Sequence, residues 1–408
     1  MDRISNLPDE VLCLILSLLP TKQSALTSAL SKRWLNLWKL VSNLDIDDSV
    51  FHHPEEGKGQ REQIRQSFVD FVDSVLARQG DAPIKNFTLK CITGVDQDIV
   101  KRWISNVMQR GVSELSVSTD FSLDDVNMSS ASLRKLTLHG AVTGGEEFVN
   151  PKSVSFDTPS LYYLDYSGLL ADDYPVVKMR NIIAAKINLM LTEDDIRRLR
   201  APNNDLLEID EGFVLRFVNV LSLIYGIRNA HVITFFADTL EVLSPCYNSL
   251  PVFNNLRSFV VTSNKDRGWQ AMPVLLRNCP RLETIIFKGL LHHVTNKCGD
   301  ACPCIPREDK GGSLTSCPVK KIVIQGFRGT MKEMTMIKHL LDYLPSLEEM
   351  DVFIDEDDPT QLRNREVSDL VLEMFELYNI SSSCDVQLLV SEALNKKWDE
   401  QGLRLPHF

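Results

Sequence analysis

"VSELSVST", residues 112–119, alternates apolar and polar side chains over one short run. That two-residue period belongs to a strand with one buried face. A helical stripe precedes it: Ile99, Trp103, Ile104 and Val107 recur at three- and four-residue spacing, and Gly111 separates stripe from strand. The same unit stands just upstream. Ile64, Phe68, Phe71, Val72 and Val75 form a stripe, Gly80 punctuates, and "IKNFTLKC" (84–91) alternates. Downstream come more strand-like cores: "LRKLTLHG" (133–140), "LYYLDYSG" (161–168), "AAKINLML" (184–191), "LRSFVVTS" (256–263), "LETIIFKG" (282–289), "VKKIVIQG" (319–326) and "LEEMDVFI" (347–354). Several follow a small capping phrase such as "SSAS", "FDTPS", "RNCPR" or "DYLPS".

With Leu115, Leu136, Leu164 and Ile187 as register marks, the spacings are 21, 28 and 23 residues, and Phe259 to Ile285 adds 26. Such periods are those of irregular leucine-rich repeats. One strand plus one helix cannot bury its own apolar face, so stacked units must share a core. The expectation is an α/β solenoid, with strands on an inner wall and helices or irregular segments outside. Residues 64–408 are expected to behave as one array. "KEMTMIKHLLDYLP" (332–345) reads as one of its buried helices through Met336, Leu340, Leu341 and Leu344. "VSDLVLEMFELYNISSSCDVQLLV" (367–390) reads as a helix followed by a strand.

The first 45 residues have a different texture. In "LPDEVLCLILSLLP" (7–20), eight of the nine residues from Val11 to Leu19 are apolar and only Ser17 interrupts. Successive helical residues turn by about 100°, so this run is apolar all round. Pro8 suits a first helical position and Pro20 ends the helix. Thr21 can cap a second helix through Ala25, Leu26, Ala29 and Leu30. Ser31 can cap a third that carries Trp34, Leu37 and Trp38. Asp45 to Gln63, with "HHPEEGKGQREQ", is polar and reads as a linker or exposed loop.

Of 408 residues, 44% are hydrophobic and 24% charged, with a formal net charge of −11. These are globular proportions, and the acidic balance lacks the footprint of a nucleic-acid binder or of an anionic-lipid binder. The first residues show no basic stretch leading to a small-residue cleavage site, so no signal peptide is expected. The apolar stretch 213–227 is broken by Arg216, Asn219 and Ser222 and is too short and polar to span a bilayer. Nine cysteines without a dense framework fit reduced thiols in the cytoplasm or nucleus.

The most chemical-looking segment is "LLHHVTNKCGDACPCIP" (290–306), with His292, His293, Cys298, Cys302, Cys304 and, further on, Cys317. Thiolate and imidazole are structural-zinc ligands. The spacings are C-x3-C and C-x-C, however, and neighbouring C-x-C thiols rarely both reach one tetrahedral ion. No structural metal is therefore expected. No G-x-S-x-G, Walker-type loop or H-E-x-x-H occurs. "GFRGTMKE" (326–333) reads as a turn out of a strand. His52, His53 and the "DEDD" run (355–358) read as solvated surface.

Residues 2–38, "DRISNLPDEVLCLILSLLPTKQSALTSALSKRWLNLW", strongly resemble the F-box of plant F-box proteins. Leu7-Pro8, Leu18-Leu19-Pro20 and Ser31-Lys32-Arg33-Trp34 stand in the family's order. Departures are small: Leu35 replaces a more usual polar residue, and Ser24-Ala25-Leu26 varies a loosely specified stretch. The tail from residue 315 resembles the FBD domain, and the middle resembles degenerate leucine-rich repeats. The resemblance implies a three-helix F-box (1–45), a linker (46–63), degenerate leucine-rich repeats (64–312) and an FBD-like C-terminal region (313–408).

It further implies a substrate-recognition subunit of a Skp–cullin–F-box ubiquitin ligase. Leu7, Pro8, Ile15, Leu18, Pro20, Leu30 and Trp34 would meet a Skp-family adaptor and, through it, the cullin. The repeats would hold an unknown protein substrate. No catalytic residue, cofactor, nucleic acid or membrane partner is expected. Two alternatives stand beside this: a metal-binding or catalytic protein using the 292–317 cluster, and an F-box protein acting outside a cullin complex.

Overall fold

The structure, a computed structural model, describes residues 4, 7–51, 61–80, 83–140, 150–200, 211–305, 313–355, 362 and 364–390. The chain forms two compact units, residues 1–182 and 183–408, where the sequence predicts one array from residue 64.

The first unit opens with α1 (Asp9–Leu16) and α2 (Thr21–Leu26), followed by 3-10 turns at Thr27–Ala29 and Trp34–Leu40. The third expected helix is thus a 3-10 turn. Its expected cap also moves: Pro8, Pro20 and Arg33 occupy the positions before the three segments. Thr21 does not cap α2; its hydroxyl accepts the Asp45 N–H at 2.8 Å.

Then come β1 (Asn43–Asp47), α3 (Arg61–Arg78), β2 (Asn86–Cys91), α4 (Gln97–Gln109), β3 (Glu114–Thr119), β4 (Val126–Ser129), β5 (Lys135–Gly140), β6 (Val154–Asp157), β7 (Tyr163–Leu169) and β8 (Val177–Lys178). Strands β1, β2, β3, β5 and β7 pair in parallel in that order. β4, β6 and β8 form a second parallel sheet. Phe156 of β6 meets Tyr166 of β7 edge-on at 5.6 Å, so the core lies between the two sheets.

β1 and α3 take in the two ends of the expected linker, residues 45–47 and 61–63. The buried Leu44 and Ile46 of β1 alternate with polar residues, and its five residues pair in register with Asn86 to Lys90. Phe51 then packs on Phe68 and Phe71 of α3, each at 5.4 Å, and Lys22 of α2 sits 3.7 Å over the Phe51 ring. A polar reading of "DIDDSVF" missed this because the apolar residues are only three. His52, His53 and the rest of 52–60 lie outside the described residues.

The second unit runs β9 (Ala184–Met190), α5 (Glu193–Arg200), α6 (Glu211–Gly226), β10 (Val232–Phe235), α7 (Ala237–Leu243), β11 (Ser258–Thr262), α8 (Met272–Arg277), β12 (Thr284–Lys288), β13 (Lys321–Phe327), α9 (Met331–Tyr343), β14 (Glu349–Ile354), α10 (Arg365–Ser381) and β15 (Asp385–Leu389). Its seven strands pair in parallel in chain order. No helix among the described residues is long and apolar enough to cross a membrane.

Each strand core repeats one device. An apolar residue lies two positions before the strand, and two alternate residues inside it point the same way. Leu133, Leu136 and Leu138 do so in one unit, and Leu282, Ile285 and Phe287 in the other, all nearly inaccessible to solvent. The register pairs Leu115 with Leu136, Leu136 with Leu164 and Phe259 with Ile285, as the spacings predict. In β9 the matching position is Ala185, which pairs with Ile233; the sequence mark Ile187 pairs one row on, with Phe235.

"GFRGTMKE" does turn the chain out of β13. Gly326 and Gly329 both take φ of +76°, and Thr330 opens α9 with a reciprocal cap in which the buried Glu333 accepts from the Thr330 and Arg328 N–H groups. Of the "DEDD" run, Asp355 pairs with Arg328 at 2.9 Å; the rest lies outside the described residues.

Candidate functional site

In the first unit the distinctive surface is made by the opening segments. Leu12 and Leu16 of α1 are buried against the Trp34–Leu40 turn, whose Trp34, Leu37 and Trp38 are buried too. Cys13 adds a contact from its thiol to the Leu37 carbonyl at 3.6 Å. Arg33 ties the third segment to the start of α1, pairing with Asp9 at 2.8 Å and donating to the Leu7 carbonyl. With that side fixed, Val11, Leu14, Ile15 and Leu18 fall at i, i+3, i+4 and i+7 on the opposite side. Leu14 is 65% exposed and Leu18 79%. Ser17, the one polar residue of the run, donates to the Leu14 carbonyl at 2.7 Å. Leu26, Leu30, Leu35 and Leu40 are exposed beside them.

The sequence-predicted contact residues divide accordingly. Pro8, Ile15, Leu18 and Leu30 are exposed, and Leu7 and Pro20 are half-buried. Trp34 is different: at 6% exposure it belongs to the core that orients the leucines. Val11, Leu14, Leu26 and Leu35 are exposed too and did not figure among the residues expected from the sequence. For the first two the signal was present, since the i, i+3, i+4, i+7 stripe is legible once Leu12 and Leu16 are given the inner face.

In the second unit, β11, β12 and β13 carry Val260, Ile286 and Val323 in one register row on the face opposite the buried ladder. At the carboxyl ends of these strands lies a groove of about 620 Å³, lined by Lys265, Lys288, Arg328, Glu333 and Asp355 among others.

The Cys/His segment lies between β12 and β13. The side-chain ligand atoms of His292, Cys302 and Cys304 all lie within 4.8 Å of one another. The premise that C-x-C thiols would not converge therefore does not hold. The thiols share protons unequally. Cys302, hydrogen-bonded to Cys298 and Cys304, is pushed far up; its hydrogen bonds, with those of His292, pull Cys298 and Cys304 well below the usual thiol range. Burial opposes the charged form of His292, but its bonds to Cys298 and Cys304 raise it to about 9. His293 instead bridges to Gly268, and Cys317 is buried near Cys279; neither joins the group.

The first unit thus joins a small helical module with an outward apolar stripe to parallel strand–helix repeats. Residues 4–45 match the F-box domain family. Across 98% of its length the chain is 49% identical to F-box/LRR-repeat protein At3g58930 of Arabidopsis thaliana, whose whole length is covered. It is 47% identical to F-box protein At3g59000 (98% of this chain, 96% of the relative) and 46% to F-box/LRR-repeat protein At5g38396 (96% and 99%), both from the same plant. The chain belongs to the plant F-box/LRR-repeat protein family.

Proposed function

We propose that this protein is the substrate-recognition subunit of a Skp–cullin–F-box ubiquitin ligase. The observation that carries this is the stripe Val11, Leu14, Ile15 and Leu18, whose helix already has its other face buried. A contiguous exposed apolar surface on a water-facing module marks a protein contact. A Skp-family adaptor covers it and links the chain to the cullin. A target protein docks on the repeats.

The role is binding rather than catalysis. Burial pushes the thiols of Cys91, Cys246 and Cys317 up to about 12, 11 and 11, so these three stay protonated at neutral pH, whereas Cys298 and Cys304, drawn below the usual thiol range, belong to the loop cluster between β12 and β13. Ubiquitin transfer falls to partners brought close together.

Deleting three buried carbons per leucine removes roughly 2 kcal/mol of burial, and each 1.4 kcal/mol is tenfold in affinity. A Leu14→Ala, Leu18→Ala pair should therefore weaken adaptor binding by about two to three orders of magnitude. Circular dichroism should be unchanged, because both side chains already face solvent. Titration with the purified adaptor decides; full affinity in the folded variant overturns the assignment. Co-purification of the wild-type chain with cullin tests the larger assembly.

A further inference from the structure

We propose that His292, Cys298, Cys302 and Cys304 form a structural zinc site that fastens the long excursion between β12 and β13. The four donors are a Cys3His set, one of the combinations zinc takes in closed tetrahedral sites. Across a tetrahedral zinc, with Zn–S of about 2.3 Å and Zn–N of about 2.0 Å, sulfur and nitrogen lie roughly 3.6 Å apart. The Cys304 sulfur and His292 Nε2 are 3.7 Å apart. Cys298 stands just outside that converging trio, on the same loop with its sulfur 3.5 Å from the Thr295 hydroxyl, and would turn inward to supply the fourth ligand.

The surroundings are built for ligation. His292 Nδ1 lies 3.1 Å from the Leu290 carbonyl, which takes the Nδ1 proton and leaves the Nε2 lone pair facing the thiols. A backbone carbonyl in that position is the usual outer partner of a metal-bound histidine. The ring is held flat against Trp269, with centroids 4.3 Å apart and planes 9° apart, and Trp269 stacks in turn on Phe287.

The cysteine loop is held as firmly. Gly299 adopts φ +60°, and a Cβ there would fall 2.6 Å from Pro273 Cγ, so the turn between Cys298 and Cys302 is packed tight. Asp300 accepts the Ser313 N–H at 2.9 Å and the Leu314 N–H at 3.3 Å, while the Asp300 carbonyl accepts from His339 of α9 at 2.8 Å. The four donors thus belong to two short segments whose positions other elements fix. A soft, thiolate-rich set favours zinc over the hard, oxygen-seeking cations. With four protein ligands the site has no open position for catalysis, and its role is to staple the loop to the repeat core.

The test uses the full chain purified under reducing conditions. Elemental analysis should give one zinc per chain. Cobalt exchanged for zinc should show the visible bands and thiolate charge-transfer absorption of tetrahedral sulfur ligation. Cys302→Ser and Cys304→Ser should reduce bound zinc to background. Cys317→Ser, outside the group, should keep it, and His292→Cys should keep the metal with a shifted cobalt spectrum. A chelator should lower the melting temperature of the wild type and not of Cys304→Ser. Should the serine variants not fold, cobalt titration of the wild type decides alone. Zinc far below one per chain in reduced wild-type protein, with no cobalt bands, overturns the proposal.

Discussion

Asp48 shows how much one side chain can decide. It is 1% exposed, and its Oδ2 accepts the N–H groups of Ile92 and Thr93 at 2.7 and 2.8 Å, just beyond β2. Replacing it by Ala strands two backbone donors away from water, at about 1–3 kcal/mol each. Asp48→Ala should therefore lower stability by roughly 2–5 kcal/mol; chemical denaturation of the purified chain measures it, and a loss below about 1 kcal/mol would show that water replaces the carboxylate. Nothing in "DIDDSVF" announces this role. A buried carboxylate and a solvated one are the same letter, and only the fold brings the end of β2 to this aspartate.

At the scale of the element, α7 shows how side chains attach helices to strands. Thr239 is fully buried; its hydroxyl donates to the Ile187 carbonyl at 2.9 Å and accepts the Leu189 N–H at 3.0 Å. Next to it Asp238 accepts the Leu191 N–H at 3.1 Å. The helix is thereby pinned to β9 and the start of the following turn. Thr239→Val keeps the shape and removes both bonds, so it should cost roughly 2–4 kcal/mol, whereas Thr239→Ser should cost far less; thermal unfolding of the two variants separates them. The nine strand cores read from the sequence are all strands, because each has two or more alternating buried residues. β4, β6 and β10, four residues each, were not read: two or three buried positions in so short a run do not outweigh chance, and neighbours rather than pattern make them strands.

For the whole molecule, repetition was legible and division was not. Spacings of strand cores revealed parallel stacking but carry no mark of a break, and the boundary between Ile182 and Ile183 depends on which residues cluster in three dimensions. The exposed stripe of α1 was half legible for a related reason: a helix apolar all round does not say which face is internal. The parallel register does make one consequence testable. Removing residue 319 onward strips β13 from β12 and uncovers Ile285 and Phe287. The truncated chain should be insoluble or lose the cooperative unfolding of the second unit, since repeats borrow stability from neighbours. A soluble product that keeps two sharp transitions would show that the last strands stand alone.

The pairing of β1 with β2 has a mechanical meaning. Two residues separate the Trp34–Leu40 turn from a strand already locked in register, and Gln79, just after α3, further holds the Val41 carbonyl at 3.0 Å. There is no swivel between the grip and the first strands it carries. On the proposed function, a partner that clasps α1 would therefore set the compass bearing of this sheet, and a target resting on it would be aimed rather than tethered. A slip of β1 by a single residue would turn Leu44 and Ile46 outward and swing that aim. The short acidic strand that reads as a tether is in effect the sight by which the first unit is pointed.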